Sequence, residues 1–300
     1  MSTQEKIDTV FKAGYVAIVG RPNVGKSTLM NAFLQQKLAI VSPRPQTTRN
    51  RILGILHGPE HQVIFHDTPG FIEPKYLLQE TMKKSVLASL DEADLVLVMI
   101  EGLGLKEDDR RVLELTKTVN KPKLLVINKV DRINKDILLP LMTEMQTMDD
   151  YKAMIPISAL EKDGLESLQA TIVEHLPAGL PFYPPDMISD EPERFFVSEI
   201  IREQIFLKFS EEIPYSTAVR IDDFKERPGR KDYIRAVIVV ERDSQKPILI
   251  GKGGKALKSI GAAARLEIER FLQRPIYLEL HISVQKNWRK NATAIKRLGY

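Results

Sequence analysis

The chain has 300 residues, of which 43% are hydrophobic, and this length suits two domains of ordinary size with buried cores. It contains no Cys, which excludes a disulfide framework and a Cys-ligated metal and fits a reducing compartment. No stretch approaches about 18 consecutive apolar residues, the length that would indicate a helix crossing a bilayer. The polar amino-terminal stretch lacks the apolar segment of a signal peptide, so we expect a cytoplasmic protein.

The net charge of +4 is distributed unevenly along the chain. Residues 1–185 carry 22 basic and 23 acidic side chains, whereas residues 246–300 carry 12 basic and 3 acidic ones. Such a local excess predicts a phosphate-rich partner, such as a nucleic acid. The alternative interpretation of a charge run taken alone is a solvated basic face.

In the first half, short apolar runs alternate with stretches of helical spacing. The predicted strands are residues 15–19, 63–65, 95–100, 124–127 and 154–157, and the predicted helices include 108–119 and 165–176. This alternation indicates an α/β domain, with a mostly parallel sheet covered by helices on both faces. Residues 51–57 alternate as a further strand, which we expect at an antiparallel edge.

The two halves are separated by a proline-rich stretch, since residues 176–193 contain five Pro. Proline excludes a helix or central strand there, so the stretch predicts an extended, fairly stiff linker. We therefore expect one domain at residues 1–180, a linker at 181–192 and a second domain at 193–300.

The second half has a different pattern and predicts an α+β domain. The predicted helices are residues 192–209 and 255–272, and the predicted strands are 216–224, 233–242 and 276–284. If the short apolar run 247–250 is also helical, the order of elements is α-β-β-α-α-β.

A phosphate-binding loop is predicted between the first strand and the helix that follows it. Gly20–Ser27 matches the pattern G-x-x-x-x-G-K-[ST] in its required strand–loop–helix context. Glycines let the backbone curve, and free N–H groups of the helix then face the anion. Lys26 would bridge the β- and γ-phosphates, and Ser27 would hold Mg²⁺. The alternative is an ordinary glycine-containing turn. The predicted contacts are Gly20, Arg21, Pro22, Asn23, Val24, Gly25, Lys26, Ser27 and Thr28.

Asp67 ends an apolar strand and begins the sequence Asp67-Thr68-Pro69-Gly70. A carboxylate at this position can reach Mg²⁺ through water, and the Gly70 N–H can contact a γ-phosphate. In residues 42–52, which fit a first switch, Thr48 is the candidate for the second Mg²⁺ ligand and Thr47 is the fallback. The alternative for this threonine pair is a polar surface loop.

Asn128, Lys129 and Asp131 follow another apolar strand and predict which nucleotide base is bound. A carboxylate at Asp131 can accept hydrogen bonds from guanine N1–H and its N2-amine, whereas adenine would leave it unpaired. After the next strand come three further candidates for guanine contacts: Ser158 would shape the loop, the Ala159 amide would face O6, and Leu160 would complete the segment.

In this order and spacing, the motifs resemble those of translation-factor-type GTPases. Small GTPases such as Ras place Gln directly after Asp-x-x-Gly to orient the attacking water, but Phe71 stands at that position here. The resemblance implies that an Asn of the phosphate loop, Asn23, binds K⁺ in place of an arginine finger. We therefore expect slow GTP hydrolysis that K⁺ stimulates, with Lys26, Asn23, Thr48 and Gly70 as the catalytic candidates.

Gly251-Lys252-Gly253-Gly254 joins two predicted helices inside the basic segment. KH modules use such a loop to clamp single-stranded nucleotides, and the α-β-β-α-α-β order resembles a type II KH domain. A helix-capping turn is the alternative. Trp288 and Arg289 could stack a base, although a buried Trp is an equal alternative. The RNA-binding candidates are Ile250, Gly251, Lys252, Gly253, Gly254, Lys255, Lys258, Trp288 and Arg289. Ile248, Leu257 and Ile260 would line a groove or belong to the core.

Taken together, the chain from about residue 14 to residue 300 resembles the Era family of bacterial GTPases. The resemblance rests on GRPNVGKSTLMN, RPQTTRNRI, DTPG, NKVD, ISA, IGKGGKALK and RPIYLELHISVQKNWR. It implies a GTPase whose KH domain binds the 3′ end of 16S rRNA in assembly of the small ribosomal subunit. It also implies that nucleotide state controls RNA access, with some peripheral association at the inner membrane face; we expect a monomer.

Two other functions are compatible with parts of this pattern. A passive RNA-binding assembly factor would bind nucleotide mainly for structural reasons, so its RNA affinity would be identical with GTP and GDP. An ATPase or kinase with the same phosphate loop would show no preference for guanine, whereas the proposed base contact predicts that Asp131→Asn shifts preference toward xanthine.

Overall fold

The computed structural model describes residues 10–300 of the chain. Residues 1–9, which hold most of the stretch used to argue against a signal peptide, lie outside the described residues. The chain forms two compact units. The first contains the described residues up to Gln36 together with Arg51–Phe71 and Val86–Asp190, and the second contains Lys37–Asn50, Ile72–Ser85 and Glu191–Tyr300.

The first unit is built on a six-stranded sheet. Its strands are β1 (Lys12–Val19), β2 (Ile52–Gly58), β3 (His61–Asp67), β4 (Leu95–Glu101), β5 (Lys123–Asn128) and β6 (Ala153–Pro156). Their order in the sheet is β2-β3-β1-β4-β5-β6. The pairs β1–β3, β1–β4, β4–β5 and β5–β6 are parallel, and β2 pairs antiparallel with β3 at the edge. The predicted mostly parallel sheet and its antiparallel edge strand are therefore confirmed.

Between residues 10 and 190, five α-helices alternate with or follow these strands: α1 (Lys26–Leu34), α2 (Leu77–Glu92), α3 (Glu107–Lys117), α4 (Lys135–Gln146) and α5 (Leu165–His175). The boundary between the units falls within α2, between Ser85 and Val86. Every residue of β4 and β5 is buried. Since successive side chains of a strand point to opposite faces, the sheet is covered on both sides there.

The segment predicted as a linker, residues 181–192, contains neither helix nor strand. Buried Gln62 of β3 holds part of it, because its Oε1 accepts hydrogen bonds from the Phe182 and Tyr183 N–H groups at 2.7 and 3.0 Å. The Ile55 N–H of β2 also donates to the Ile188 carbonyl at 2.9 Å. The segment thus supplies an acceptor for one backbone donor of the edge strand β2, which would otherwise lack a strand partner.

The second unit contains a three-stranded sheet of β7 (Ala218–Lys225), β8 (Asp232–Val240) and β9 (Ile276–Val284). In the order β7-β8-β9, the first pair is antiparallel and the second is parallel. Its helices are α6 (Glu193–Lys208), α7 (Ile213–Ser216), α8 (Gln245–Ile250), α9 (Lys255–Leu272) and α10 (Ala292–Arg297). The order α-β-β-α-α-β is confirmed, and the short helices α7 and α10 are additions to it.

Both faces of this smaller sheet are covered. Apolar side chains of α6 and α9, including Ile205 and Ile268, form one core with Ile234 of β8. A second cluster contains Val237 of β8 and Trp288. Among residues 10–300, no helix combines the length and the apolar character needed to cross a membrane.

Candidate functional site

The predicted phosphate loop connects the end of β1 at Val19 to the start of α1 at Lys26. Gly25 has a φ of +108°, a conformation that residues with side chains rarely adopt. A Cβ atom on Gly25 would also lie 2.2 Å from Nδ2 of Asn128. The turn before α1 therefore requires glycine for both its backbone conformation and its close approach to the guanine motif.

Lys26 is only 6% exposed and points back into the loop. Its Nζ donates hydrogen bonds to the carbonyl oxygens of Gly20 and Arg21, at 3.1 and 3.0 Å. Burial lowers the pKa of Lys26 to about 8, although the charge of Asp67 acts in the opposite direction. A nearby phosphate would favour the charged lysine, so this arrangement suits an anion-binding side chain.

Ser27 and Asp67 lie together, although forty residues separate them in the chain. Asp67 ends β3, the neighbour of β1, and the Ser27 hydroxyl donates to Asp67 Oδ2 at 2.6 Å. Asp67 is fully buried. A hydroxyl beside a carboxylate offers the oxygen ligands that Mg²⁺ prefers, so these two residues fit a magnesium ion.

The Asp67–Gly70 motif packs directly against the phosphate loop. A Cβ atom on Gly70 would lie 2.6 Å from the Cα of Pro22, and the Phe71 N–H donates to the Gly20 carbonyl at 3.1 Å. The Phe71 side chain is buried in the hydrophobic core of the first unit. A buried phenyl ring cannot orient a water molecule for attack, as expected from the sequence.

Asn128 connects the guanine motif to two other loops. Its Nδ2 donates to the Val24 carbonyl at 2.8 Å, and its Oδ1 accepts from the Ala159 N–H at 3.0 Å. In this structure, the Ala159 amide predicted to face guanine O6 is therefore paired with Asn128. Lys129 Nζ donates to the Asn23 carbonyl at 2.7 Å, which ties the motif to the phosphate loop again.

The remaining base-contact candidates lie on nearby turns. Asp131 is exposed in a short 3-10 turn, Val130–Arg132. The Ser158 hydroxyl accepts a hydrogen bond from the Glu161 N–H at 3.2 Å, so it is part of the turn that follows β6. Leu160 is exposed.

Two acidic residues of this region were not identified from the sequence. Glu101 forms ion pairs with both Arg21 and Lys129, and Asp109 Oδ2 accepts from Arg21 Nε at 3.1 Å. Burial opposes ionisation of Glu101, but the two cations outweigh it and the pKa of Glu101 is lowered. A signal existed, because Glu101 follows an apolar strand at the same sheet edge as Asp67.

Thr47 and Thr48 belong to the second compact unit and are both buried. The Thr47 hydroxyl donates to the Arg44 carbonyl at 2.8 Å and lies 2.8 Å from the Ser42 hydroxyl. The Thr47 hydroxyl is therefore engaged in a local turn of the candidate first switch.

In the second unit, the Gly251–Gly254 loop joins α8 to α9 with positive φ angles at Gly251, Gly253 and Gly254. Cβ atoms built on Gly253 and Gly254 would meet no atom within 4 Å, so their backbone is open to a close ligand. Lys252, Lys255 and Lys258 are exposed around this loop, whereas Ile250 is half-buried. The loop thus combines accessible backbone with positive charge.

A groove of about 490 Å³ lies between α9 and β9 beside this loop. Its floor is apolar and its rim is cationic; the main lining residues are Leu257, Leu278, Leu280, Lys231, Lys258 and Arg265. Of the candidates for groove residues, Leu257 lines this groove, Ile260 is buried in the core and Ile248 is exposed. Lys231 and Arg265 were missed because neither is close to the glycine loop in sequence.

The structure corrects the suggestion that Trp288 and Arg289 stack a base. Trp288 is 0% exposed, and its Nε1 donates to the Ser216 carbonyl at 2.9 Å, so the buried alternative holds. The Arg289 guanidinium forms an ion pair with Glu241 and lies 4.9 Å from the ring centroid of Tyr76. Sequence could not separate these cases because aromatic and basic residues also alternate in buried, ion-paired segments.

The phosphate loop, the adjacent Ser27–Asp67 pair and the guanine motif at one sheet edge define a P-loop GTPase, and the α-β-β-α-α-β unit with its glycine loop defines a KH domain. Family models agree with this class: one described as a 50S ribosome-binding GTPase matches residues 15–129, and a KH domain model matches residues 212–289.

Curated relatives cover almost all of the chain. It is 47% identical over 290 residues to GTPase Era of Lactobacillus helveticus, spanning 97% of this chain and 96% of that protein. It is 44% identical over 299 residues to the chloroplastic GTPase ERA-like protein of Arabidopsis thaliana, spanning 98% of this chain and 70% of that protein. The chain belongs to the Era family of GTPases.

Solved structures agree at the level of the whole chain. A variant of Aquifex aeolicus Era bound to GDP and AlF4⁻ matches with a TM-score of 0.94 and 43% identity, covering 97% of this chain and 99% of that one. Era in complex with MgGDPNP and nucleotides 1506–1542 of 16S ribosomal RNA matches with the same values.

Proposed function

We propose that this chain is a GTP-hydrolysing switch whose KH domain binds the 3′ end of 16S rRNA during assembly of the small (30S) ribosomal subunit. The observation that carries the proposal is the near full-length likeness to an Era that holds both MgGDPNP and nucleotides 1506–1542 of 16S rRNA. We further propose that residues 1–180 act as the GTPase domain, 181–192 as the linker and 193–300 as the KH domain.

In the proposed nucleotide site, Lys26 contacts the β- and γ-phosphates, and Ser27, Thr48 and water-linked Asp67 hold Mg²⁺. When bound, the ion would neutralise phosphate charge. The buried Lys26 and the 2.6 Å contact between Ser27 and Asp67 support these roles. Asp131 would select guanine, because its carboxylate pairs with the N1–H and N2-amine.

We propose that K⁺ near Asn23 replaces an arginine finger during hydrolysis. Support comes from Phe71, whose burial in the core leaves no glutamine-like side chain at that position. Asn23 is exposed on the phosphate loop, with a φ of 63°. Turnover should be faster in K⁺ than in Na⁺ buffer of equal ionic strength. Equal rates would remove Asn23 from the mechanism.

The RNA-binding proposal assigns the backbone of Gly251–Gly254 and the side chains of Lys252, Lys255 and Lys258 to phosphate contacts, with Ile250 beside them. Its support is the exposure of these lysines and the open space around Gly253. Bases would then lie in the apolar groove between α9 and β9.

The test is binding of an RNA with the sequence of nucleotides 1506–1542. Lys252→Ala combined with Lys255→Ala should weaken binding by about tenfold or more and reduce the salt slope by about 1.4, because two phosphate contacts are lost. Lys117→Ala with Lys121→Ala is the matched control, since these lysines are exposed in the first unit. Unchanged affinity in the first variant, or equal binding of a scrambled RNA, would contradict the proposal.

We also propose that the chain acts as a cytoplasmic monomer and that its contact with the inner membrane face is peripheral. The support is the basic excess of residues 246–300, which suits a negatively charged surface. Flotation with anionic and neutral vesicles tests this, and equal recovery with both would remove the electrostatic basis.

A further inference from the structure

The candidate first switch packs with residues of the carboxyl-terminal half. Residues 37–50 belong to the second compact unit, together with residues 191–300. At one end of the segment, buried Glu203 of α6 accepts hydrogen bonds from Lys37 Nζ at 2.6 Å and from the Val41 N–H at 3.0 Å. At the other end, Asn50 Nδ2 donates to the Gly299 carbonyl at 2.9 Å.

Arg49, the residue directly after Thr48, makes three further connections of this kind. Its side chain donates to the carbonyl oxygens of Thr217, Pro214 and Tyr215 at 2.7, 3.0 and 3.0 Å. These carbonyls lie at the end of α7, where helical carbonyls lack partners within the helix. A guanidinium presents five N–H donors in a rigid planar fork, so it suits several such acceptors at once.

Two aromatic rings complete the environment of Arg49. Its guanidinium carbon lies 5.7 Å from the Trp288 ring centroid and 5.5 Å from that of Tyr300, which are within cation–π range. Arg49 is only 4% exposed. Displacing it would therefore leave a buried charge and several buried carbonyls without partners, so its position is strongly determined.

The contacts of α7 continue toward the RNA loop. Ser216, the last residue of α7, accepts through its hydroxyl a hydrogen bond from Gln245 Nε2 at 2.9 Å. Gln245 is the first residue of α8, and α8 ends at Ile250, directly before Gly251. A short chain of hydrogen bonds and one helix therefore connects the neighbour of Thr48 to the proposed RNA-binding loop.

We propose that Arg49 is a positioning residue that couples Thr48 to the KH domain, so that GTP and RNA alter each other's binding. This inference rests on the proposed function. In GTPases, contacts of the γ-phosphate and its Mg²⁺ order the switch loops, and hydrolysis releases them. A shift of Thr48 must act on Arg49 through one peptide bond, and Arg49 is held by α7. Coupling of this kind is reciprocal.

The experiment measures the affinity of the 1506–1542 RNA with GDP and with GDPNP, using the full chain. The RNA affinity of the wild type should differ by about tenfold between GDP and GDPNP, which is within the usual range of allosteric coupling. Arg49→Lys keeps the charge but loses the planar fork of donors. It should reduce the ratio of the two RNA affinities to about threefold or less, while the RNA affinity measured with GDP stays unchanged. Ser216→Ala breaks the link to Gln245 and should give an intermediate ratio.

Arg51→Lys is the matched control, since Arg51 lies two residues away and pairs with Glu92 in the first unit. It should retain the wild-type ratio. The reciprocal measurement is the ratio of GDPNP affinity to GDP affinity, with and without RNA. RNA must change this ratio by the same factor in each variant. A merely structural role of Arg49 would lower the melting temperature and leave both ratios intact.

The outcomes separate the two proposals. Equal RNA affinity of the wild type with GDP and GDPNP would overturn the switch function itself. A wild-type ratio that persists in folded Arg49→Lys would overturn only the role of Arg49. If Arg49→Lys does not fold, Ser216→Ala decides: a reduced ratio supports the coupling, and an unchanged ratio contradicts it.

Discussion

The burial and contacts of Lys26 affect its protonation and its suitability for binding phosphate. Its ammonium group contacts backbone carbonyls of its own loop, and burial lowers its pKa from 10.5 to about 8. The folded chain therefore releases this proton more readily than the unfolded chain does. Bound phosphates would favour the charged form and raise the pKa again.

This difference predicts proton uptake on nucleotide binding. Above about pH 8, free Lys26 is largely neutral, so GDP binding should take up as much as one proton, and affinity should fall as pH rises toward 10.5. At about pH 6.5 the lysine is charged in both states and no uptake by this group is expected. Titration calorimetry in buffers of different ionisation enthalpy measures the proton number. Finding the same number at about pH 9 as at pH 6.5 would contradict the role of Lys26.

Two of the three glycines in the loop between α8 and α9 meet different structural requirements. Gly251 has φ 70° and ψ 173°, a region that only glycine occupies readily, and a Cβ there would lie 2.6 Å from the Ala256 Cβ. Gly253 has φ 60° and ψ 29°, in the left-handed region, with open space around it. The first glycine is needed by the fold, and the second leaves backbone accessible.

Alanine substitutions should separate these two requirements. Gly251→Ala should lower the free energy of unfolding by about 3 kcal/mol, because backbone strain and a steric clash combine. Gly253→Ala should cost about 1 kcal/mol, the penalty of a left-handed residue alone. Urea denaturation of both variants measures the difference. Equal losses would show that the clash with Ala256 is relieved by movement of the loop.

The division of the chain into two compact units predicts separate responses to GDP and to RNA. Trp288 is the single Trp of the chain and is buried in the second unit, so its fluorescence reports unfolding of that unit. The nucleotide motifs, apart from the Thr47–Thr48 pair, lie in the first unit. GDP and RNA should therefore stabilise different parts of the chain.

Thermal unfolding followed by circular dichroism and by Trp fluorescence tests this. GDP at about one hundred times its Kd should stabilise the first unit by about 2.7 kcal/mol and leave the fluorescence midpoint nearly unchanged. The 1506–1542 RNA should raise the fluorescence midpoint. If GDP shifts both midpoints equally, the units unfold as one and this expectation is wrong.

Much of the fold and part of the site could be predicted because their signals are local. Apolar runs and helical spacing indicated five strands of the parallel sheet and the order of elements in the second unit. The phosphate loop could be recognised because its glycines and Lys26 are needed within eight consecutive residues. The predicted antiparallel edge strand was also correct, since its alternating pattern differs from the continuous apolar runs of the central strands.

Patterns of neighbouring residues thus predicted the kinds of elements, their order and the residues of the phosphate and glycine loops. The pairing of Glu101 with Arg21 and Lys129, the burial of Trp288 and the packing of Arg49 against α7 became known from the folded chain alone. Each of these contacts joins residues that are far apart in the chain. The type of a charged or aromatic residue does not identify the residue that it will contact in the folded chain.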